Sequence, residues 1–194
     1  MSETMLPDGA LDVQPLTLER WDDFENLFGR NGACAGCWCM FWRQSRREFD
    51  CNHGEPNRQA MRALVENGAV PGLLAYQAGL PVGWVSVDRR EAYTTLERSR
   101  ILARVDDQPV WAITCFFIRR ANRGQGVMKA LIGAAVAYAA AQGAHMVEAY
   151  PTERHRKVSA AEIYMGVVPA FLANGFVEVA RRSPTHPVMR RMLP

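Results

Sequence analysis

Residues 111–151 read WAITCFFIRRANRGQGVMKALIGAAVAYAAAQGAHMVEAYP, and the order of elements inside this stretch decides the fold. Trp111 to Ile118 is an almost unbroken apolar run, the pattern of a strand buried on both faces. From Val127 the apolar residues recur at 127, 130, 131, 134, 135 and 138, which forms one stripe of a helix. Gly143 predicts the helix stop, His145 to Tyr150 a second strand, and Pro151 its end. In the turn between, Arg123, Gly124, Gln125 and Gly126 run directly into the helix. Its first amides lack intrahelical partners and lie at the positive end of the helix dipole. Glycines let an anion approach those amides, so the turn reads as a phosphate cradle. It has neither the Gly-Lys-Ser/Thr of a Walker loop nor the G-x-G-x-x-G run of a dinucleotide fingerprint.

Working outward, LDVQPLTLERWDDFENLFG (11–29) predicts a strand and then a helix carrying Trp21, Phe24, Leu27 and Phe28, with Thr17 as its cap. EPNRQAMRALVENGAV (55–70) predicts a helix with Met61, Leu64 and Val65 on one face and Gly68 as its stop. GLLAYQAGLPVGWVSVD (72–88) predicts an antiparallel hairpin turning around Gly79 and Pro81. Residues 91–109 read as a loop with one helical turn. SAAEIYMGVVPAFLANGF (159–176) reads as a helix capped by Ser159, with Glu162 at its third helical position and a kink or break at Pro169. FVEVARR and PVMRRML supply two closing strands.

The net charge of +3 is too small to argue for nucleic acid as a partner. Its distribution is uneven, because residues 1–28 hold seven acidic groups and only Arg20. Positive charge gathers at Arg119, Arg120 and Arg123, at Arg154, Arg156 and Lys157, and at Arg181, Arg182, Arg190 and Arg191. These clusters read either as solvated faces or as the seat of a small polyanion. No apolar run approaches the roughly 20 residues that cross a bilayer, and MSETMLPDGA lacks the features of a secretory signal. The expectation is a cytoplasmic protein with no membrane partner, a flexible stretch over 1–9 and one domain over 10–194. Five cysteines, an odd number, read as reduced thiols and not as a disulfide framework.

The strand, the turn with Arg123, Gly126 and Met128, and the following helix resemble the acyl-CoA-binding core of the GNAT superfamily of N-acetyltransferases, whose pattern is R-x-x-G-x-G/A. The hairpin before the motif, the strand after it, and FLANGF near the end extend the resemblance to roughly residues 10–192. It implies an α/β (α+β) fold: a mixed, mostly antiparallel sheet of about six to seven strands flanked by helices, with a splayed strand pair for acyl-CoA. It also implies transfer of an acetyl group from acetyl-CoA, as cosubstrate, to a primary amine of a small molecule or peptide. Backbone groups of Phe116, Phe117 and Ile118 would pair with the pantetheine arm. Amides of Arg123, Gly124, Gln125, Gly126, Val127 and Met128 would hold the pyrophosphate, and Arg119, Arg120 or the 154–157 cluster the 3′-phosphate.

Two positions depart from the pattern. Met128 stands where the motif ends in Gly or Ala. Phe171, near the cofactor in such a fold, stands where the family often has a tyrosine acid, and phenylalanine has no proton to give. Tyr164, seven residues earlier and about two turns back if the helix is regular, is the nearest substitute. Glu148, on the strand after the motif helix, is the first candidate for the base that deprotonates the amine, ahead of Asp88, Glu91 and Glu162. A module that binds acyl-CoA without turnover stays open as an alternative, and homodimers are a further possibility.

GACAGCWCMFWRQ (32–44) concentrates three of the five cysteines between the first two helices. With Cys51 and His53, the thiols of Cys34, Cys37 and Cys39 could supply a zinc site, but the paired spacing of zinc ribbons is missing. No metal is therefore expected. In the resembling fold this connection borders the acceptor, so Trp38, Met40, Phe41 and Trp42 read as an apolar wall of its site, or else as plain core.

Overall fold

A computed structural model of the chain describes residues 10–153 and 160–194. In chain order it runs β1 (Leu11–Pro15), α1 (Trp21–Phe28), α2 (Arg46–Cys51), α3 (Glu55–Glu66), β2 (Gly72–Gln77) and β3 (Leu80–Arg89). Then follow α4 (Thr94–Glu97), β4 (Trp111–Ile118), α5 (Val127–Ala141), β5 (Met146–Ala149), α6 (Val168–Leu172), β6 (Val177–Arg181) and β7 (Pro187–Met192). The strands form one sheet of seven in the order β1-β2-β3-β4-β5-β7-β6. Every neighbouring pair is antiparallel except β4 with β5. This is the predicted mixed, mostly antiparallel architecture.

Alternation along the strands feeds two cores. Leu73, Ala75, Val85 and Ile113 turn to the face covered by α5, where Val127, Leu131 and Ala135 meet them. Leu74 and Trp84 turn to the other face, against Trp21, Phe24 and Phe28 of α1 and Met61 and Val65 of α3. The helix α5 is rolled relative to the predicted stripe, for Ile132, Val136 and Ala139 are buried while Ala130, Ala134 and Tyr138 are only partly covered. It is apolar almost all round, so its sequence specifies burial but hardly its direction.

The most consequential irregularity is in β4. Ser86 pairs with Cys115 but Val87 pairs with Ile113, so Thr114 is an extra residue in the strand. This bulge puts Ile113 and Phe116, three residues apart, on the same α5 face, and leaves Cys115 and Phe117 against the α1 side. The parallel ladder with β5 covers only Trp111 to Ile113, opposite Val147 to Ala149. Beyond the bulge the two strands part.

The segment before α6 corrects one expectation. Ser159 lies outside the described residues, Ala160–Ile163 forms a short 3-10 turn, and a separate helix begins at Val168. Pro169 sits in the first turn of that helix, where its missing N–H costs nothing, instead of kinking a longer one. Tyr164 and Phe171 therefore do not share a helical face.

Candidate functional site

The parted ends of β4 and β5 open onto a cavity of about 920 Å³ lined by β4, the glycine turn before α5, the cysteine segment and residues 163–170. At one end lie Asn122, Arg123, Gly124, Gly126, Val127, Met128 and Lys129. Gly126 caps α5 with φ +81°, and Gly124 has φ +77°; a side-chain carbon built on either would touch nothing within 4 Å. The first helical bond of α5 runs from Ala130 N–H to Gly126 O, so the amides ahead of it have no helical acceptor. Gln125 closes the turn by donating its side-chain amide to Ala121 O at 2.9 Å, and Arg123 Nε donates to Ile118 O at 3.0 Å. Arg119 is used for structure, donating to Pro81 O at 2.8 Å and to Asn26 O at 3.1 Å. Residues 154–157 lie outside the described residues.

In the middle, Phe116 N–H donates to Tyr164 O at 2.6 Å, and Thr152 N–H donates to Gly166 O at 2.9 Å. The segment from Tyr164 to Val167 thus bridges the foot of the splay, with Thr152 and Val167 in a parallel bridge. Tyr164 lines the cavity, and burial, with Cys115 and Cys37 nearby, raises its phenol well above the ordinary tyrosine range. Phe171 does not line it: fully buried, it packs edge-on against Phe116 and Phe176. Its role is to hold the strand from beneath, a correction to its reading as a cofactor contact.

The far end is built by the cysteine segment. Ala33, Ala35, Trp38 and Cys39 all have positive φ, at 67°, 48°, 42° and 56°. Such conformations persist only where surroundings over-determine them. Gly36 N–H donates to Asn31 O, its carbonyl accepts from Gly54 N–H and from the buried Asn57 amide, and Trp84 Nε1 donates to Cys39 Sγ at 2.9 Å. Gly36, at φ +69°, has no room for a side chain, since a Cβ would come within 2.4 Å of Gly54 N. The strained loop turns Cys34, Cys37 and Cys39 toward the cavity beside Cys115, with Cys39 and Cys115 sulfurs 3.4 Å apart. Burial pushes the Cys37 thiol up to about 12 and raises Cys39 well above its ordinary value, so both stay protonated. Phe41, Trp42, Phe49 and His53 complete this wall. Trp38 and Met40 do not reach it; they are buried under α1, which corrects their reading as acceptor contacts. All five cysteines are free, and among the described residues no three His, Cys, Asp or Glu side chains come together as a metal site would require.

Glu148 also departs from expectation. It is buried outside the cavity, and its Oε1 accepts from Arg90 Nη1 at 2.7 Å and from the Tyr150 hydroxyl at 2.5 Å, its Oε2 from Arg190 Nε at 2.6 Å. Arg90 continues to Glu97 and to Leu102 O, and Arg190 to Asp106, so the network ties the loop after β3 to the sheet. With both oxygens engaged by guanidinium groups and no access to the cavity, Glu148 is not placed to meet an amine there. Asp88 is paired with Arg43 and Glu91 with Arg104; neither they nor Glu162 line the cavity. Sequence reading missed this network, although Glu148 and Arg190 face each other across β5 and β7 and their opposite charges were a usable signal.

The buried phenols give a pH expectation. Burial raises Tyr93 to about 12 and Tyr150 well above its ordinary value. A folded-state pKa above the unfolded one gives stability that is complete below pH about 10 and is lost as pH rises toward the folded value. Each of these two tyrosines should therefore remove about 1.4 kcal/mol per pH unit between pH about 10 and 12. Denaturant midpoints measured across that range should fall steeply, and the tyrosinate absorbance of these two residues should appear only with unfolding.

Comparison with known proteins adds an independent line. The model of the Acetyltransferase (GNAT) family matches residues 36–164. No curated protein sequence matches the chain. Among solved structures, the PaiA N-acetyltransferase of Thermoplasma acidophilum, in complex with coenzyme A, is 10% identical with a TM-score of 0.52, covering 95% of this chain and 99% of that one. YncA of Salmonella typhimurium, a putative acetyltransferase with acetyl-CoA, is 14% identical with a TM-score of 0.54 and 95% coverage of each chain. The ribosomal-protein-alanine N-acetyltransferase of Brucella melitensis is 14% identical with a TM-score of 0.52, covering 93% of this chain and 99% of that one. At such identities the likeness is one of fold.

Proposed function

Because the chain belongs to the GNAT family of acetyltransferases, we propose that it moves an acetyl group from acetyl-CoA directly to a primary amine of a small molecule or peptide. The observation that carries this reading is a single cavity joining the phosphate turn to the thiol- and aromatic-lined end past the splayed strand β4. The amides of Arg123 to Met128 take the pyrophosphate, helped by Arg123 and Lys129 on the rim; the open space at Gly124 and Gly126 suits close approach of an anion. Met128 keeps its backbone donor and seats its side chain against the core. The pantetheine arm runs along Phe116 to Ile118. The Phe116 amide, which donates to Tyr164 O, exchanges that partner for the thioester oxygen and stabilises the developing oxyanion. Tyr164, protonated at neutral pH, then gives a proton to the leaving thiolate. Phe41 and Trp42 flank the acceptor. The five free thiols suit a reducing compartment and support a cytoplasmic site of action.

The test is thiol release from acetyl-CoA as a function of added amine. Tyr164→Phe should lower kcat by roughly 10²–10⁴-fold, the range of one general-acid contribution, with acetyl-CoA affinity unchanged. A module that binds without turnover, suggested by Phe171 at the usual place of the acid, predicts acetyl-CoA binding with no amine-dependent thiol release.

A further inference from the structure

An amine must lose a proton before it attacks, and near neutral pH a simple alkylamine carries one. Among the described residues no carboxylate lines the cavity. Cys37, Cys39 and Tyr164 hold their protons through burial, and Arg123 and Lys129 are cations at the phosphate end. His53 is different. Its Nδ1 lies 2.7 Å from Ala35 O, an acceptor only, which fixes the proton on Nδ1 and leaves the lone pair on Nε2. The ring is held edge-on to Phe49, with centroids 4.6 Å apart, and Nε2 lies 4.0 Å from Asp50 Oδ1, a carboxylate that faces the positive charge once the ring accepts a proton. The strained loop that carries Ala35 is what sets this tautomer.

The same wall speaks to the acceptor. It presents Phe41, Trp42, Phe49, Ala33 and Cys37, and among the described residues its lining holds no carboxylate to pair a second charge on the acceptor, Asp50 lying outside the lining and bonded to Arg46 at 2.9 Å. Burying an unpaired ammonium there is costly, whereas aromatic edges and small thiols suit an apolar body.

We propose, resting on the acetyltransferase reading, that His53 Nε2 takes the proton from the incoming amine, directly or through one water, and that the acceptor is an apolar, aromatic monoamine. The transfer balances: the ammonium gives one proton to His53, the freed nitrogen bonds to the acetyl carbon, the carbon–sulfur bond breaks as Tyr164 protonates the leaving thiolate, and the second proton, lost from nitrogen as the amide forms, restores Tyr164.

The test measures thiol release with 2-phenylethylamine and with spermidine, for wild type, His53→Ala and His53→Gln, alongside calorimetry of acetyl-CoA. The expected result is at least a tenfold higher kcat/KM for 2-phenylethylamine. With it, both variants should lose roughly 10²–10⁴-fold in kcat at unchanged acetyl-CoA affinity, and added imidazole should restore part of the rate of His53→Ala. Glutamine can still donate to Ala35 O, so loss in that variant separates proton transfer from loop support. Turnover of spermidine equal to or better than the aromatic amine, variants within twofold of wild type, or no rescue by imidazole would overturn the inference while leaving acetyl transfer standing. Absence of turnover with every amine would overturn both.

Discussion

Replacing Gly126 by valine is expected to reduce acetyl-CoA affinity at least 100-fold, about 2.7 kcal/mol, while the protein still folds. At φ +81° a β-branched residue carries backbone strain of about 1–3 kcal/mol, a modest share of domain stability. No protein atom lies within 4 Å of the added Cβ, so the side chain is not forced against the core. It would project instead into the space proposed for the pyrophosphate. Calorimetric titration reports the affinity and a thermal melt reports the fold; a valine variant that binds as wild type does would place the phosphates elsewhere.

Glu148→Ala should destabilise the fold by roughly 3–5 kcal/mol, because it leaves Arg90 and Arg190 with unneutralised charge in the interior. For a chain of this size that is a fall in melting temperature of roughly 10 °C. The substitution also separates the two roles that the sequence left possible. If Glu148 is structural, the variant assayed at low temperature, where it remains folded, should turn over within a few fold of wild type. A loss of a hundredfold in kcat without a change in melting temperature would instead restore Glu148 as the base.

How much of this was legible in the sequence differs from place to place. The unit from Trp111 to Tyr150 was readable because a buried strand, a glycine turn and a helix each leave a pattern of their own, and the resulting sheet is the one expected. The bulge at Thr114 was not, since an extra residue in an apolar strand looks like any other apolar strand residue. That one residue governs which side chains of β4 face α5 and where β4 leaves β5. The direction of α5 was hidden for a similar reason: a helix whose only charged residue is Lys129 and which is apolar almost all round has hardly a preferred face in its sequence.

The cysteine segment was recognised as unusual but its residues were sorted by size, which favoured Trp38 and Met40. In the structure Trp38 and Met40 fill the core under α1, while Phe41, Trp42, the small thiols and His53 meet the cavity. Backbone conformation does the sorting, through positive φ at Ala33, Ala35, Trp38 and Cys39, residue types that give no sequence sign of that geometry. Glu148 was misjudged because its strand borders the splay, yet its side chain points to the two arginines of a buried network.

The most direct test of the central claim is calorimetric titration of the wild-type protein with acetyl-CoA, followed by the same titration in the presence of excess coenzyme A. The cavity between the phosphate turn and the splayed strands predicts one saturable site per chain, with acetyl-CoA displaced by coenzyme A and weakened in Gly126→Val. The absence of any saturable heat, from protein shown to be folded by its melt, would contradict it.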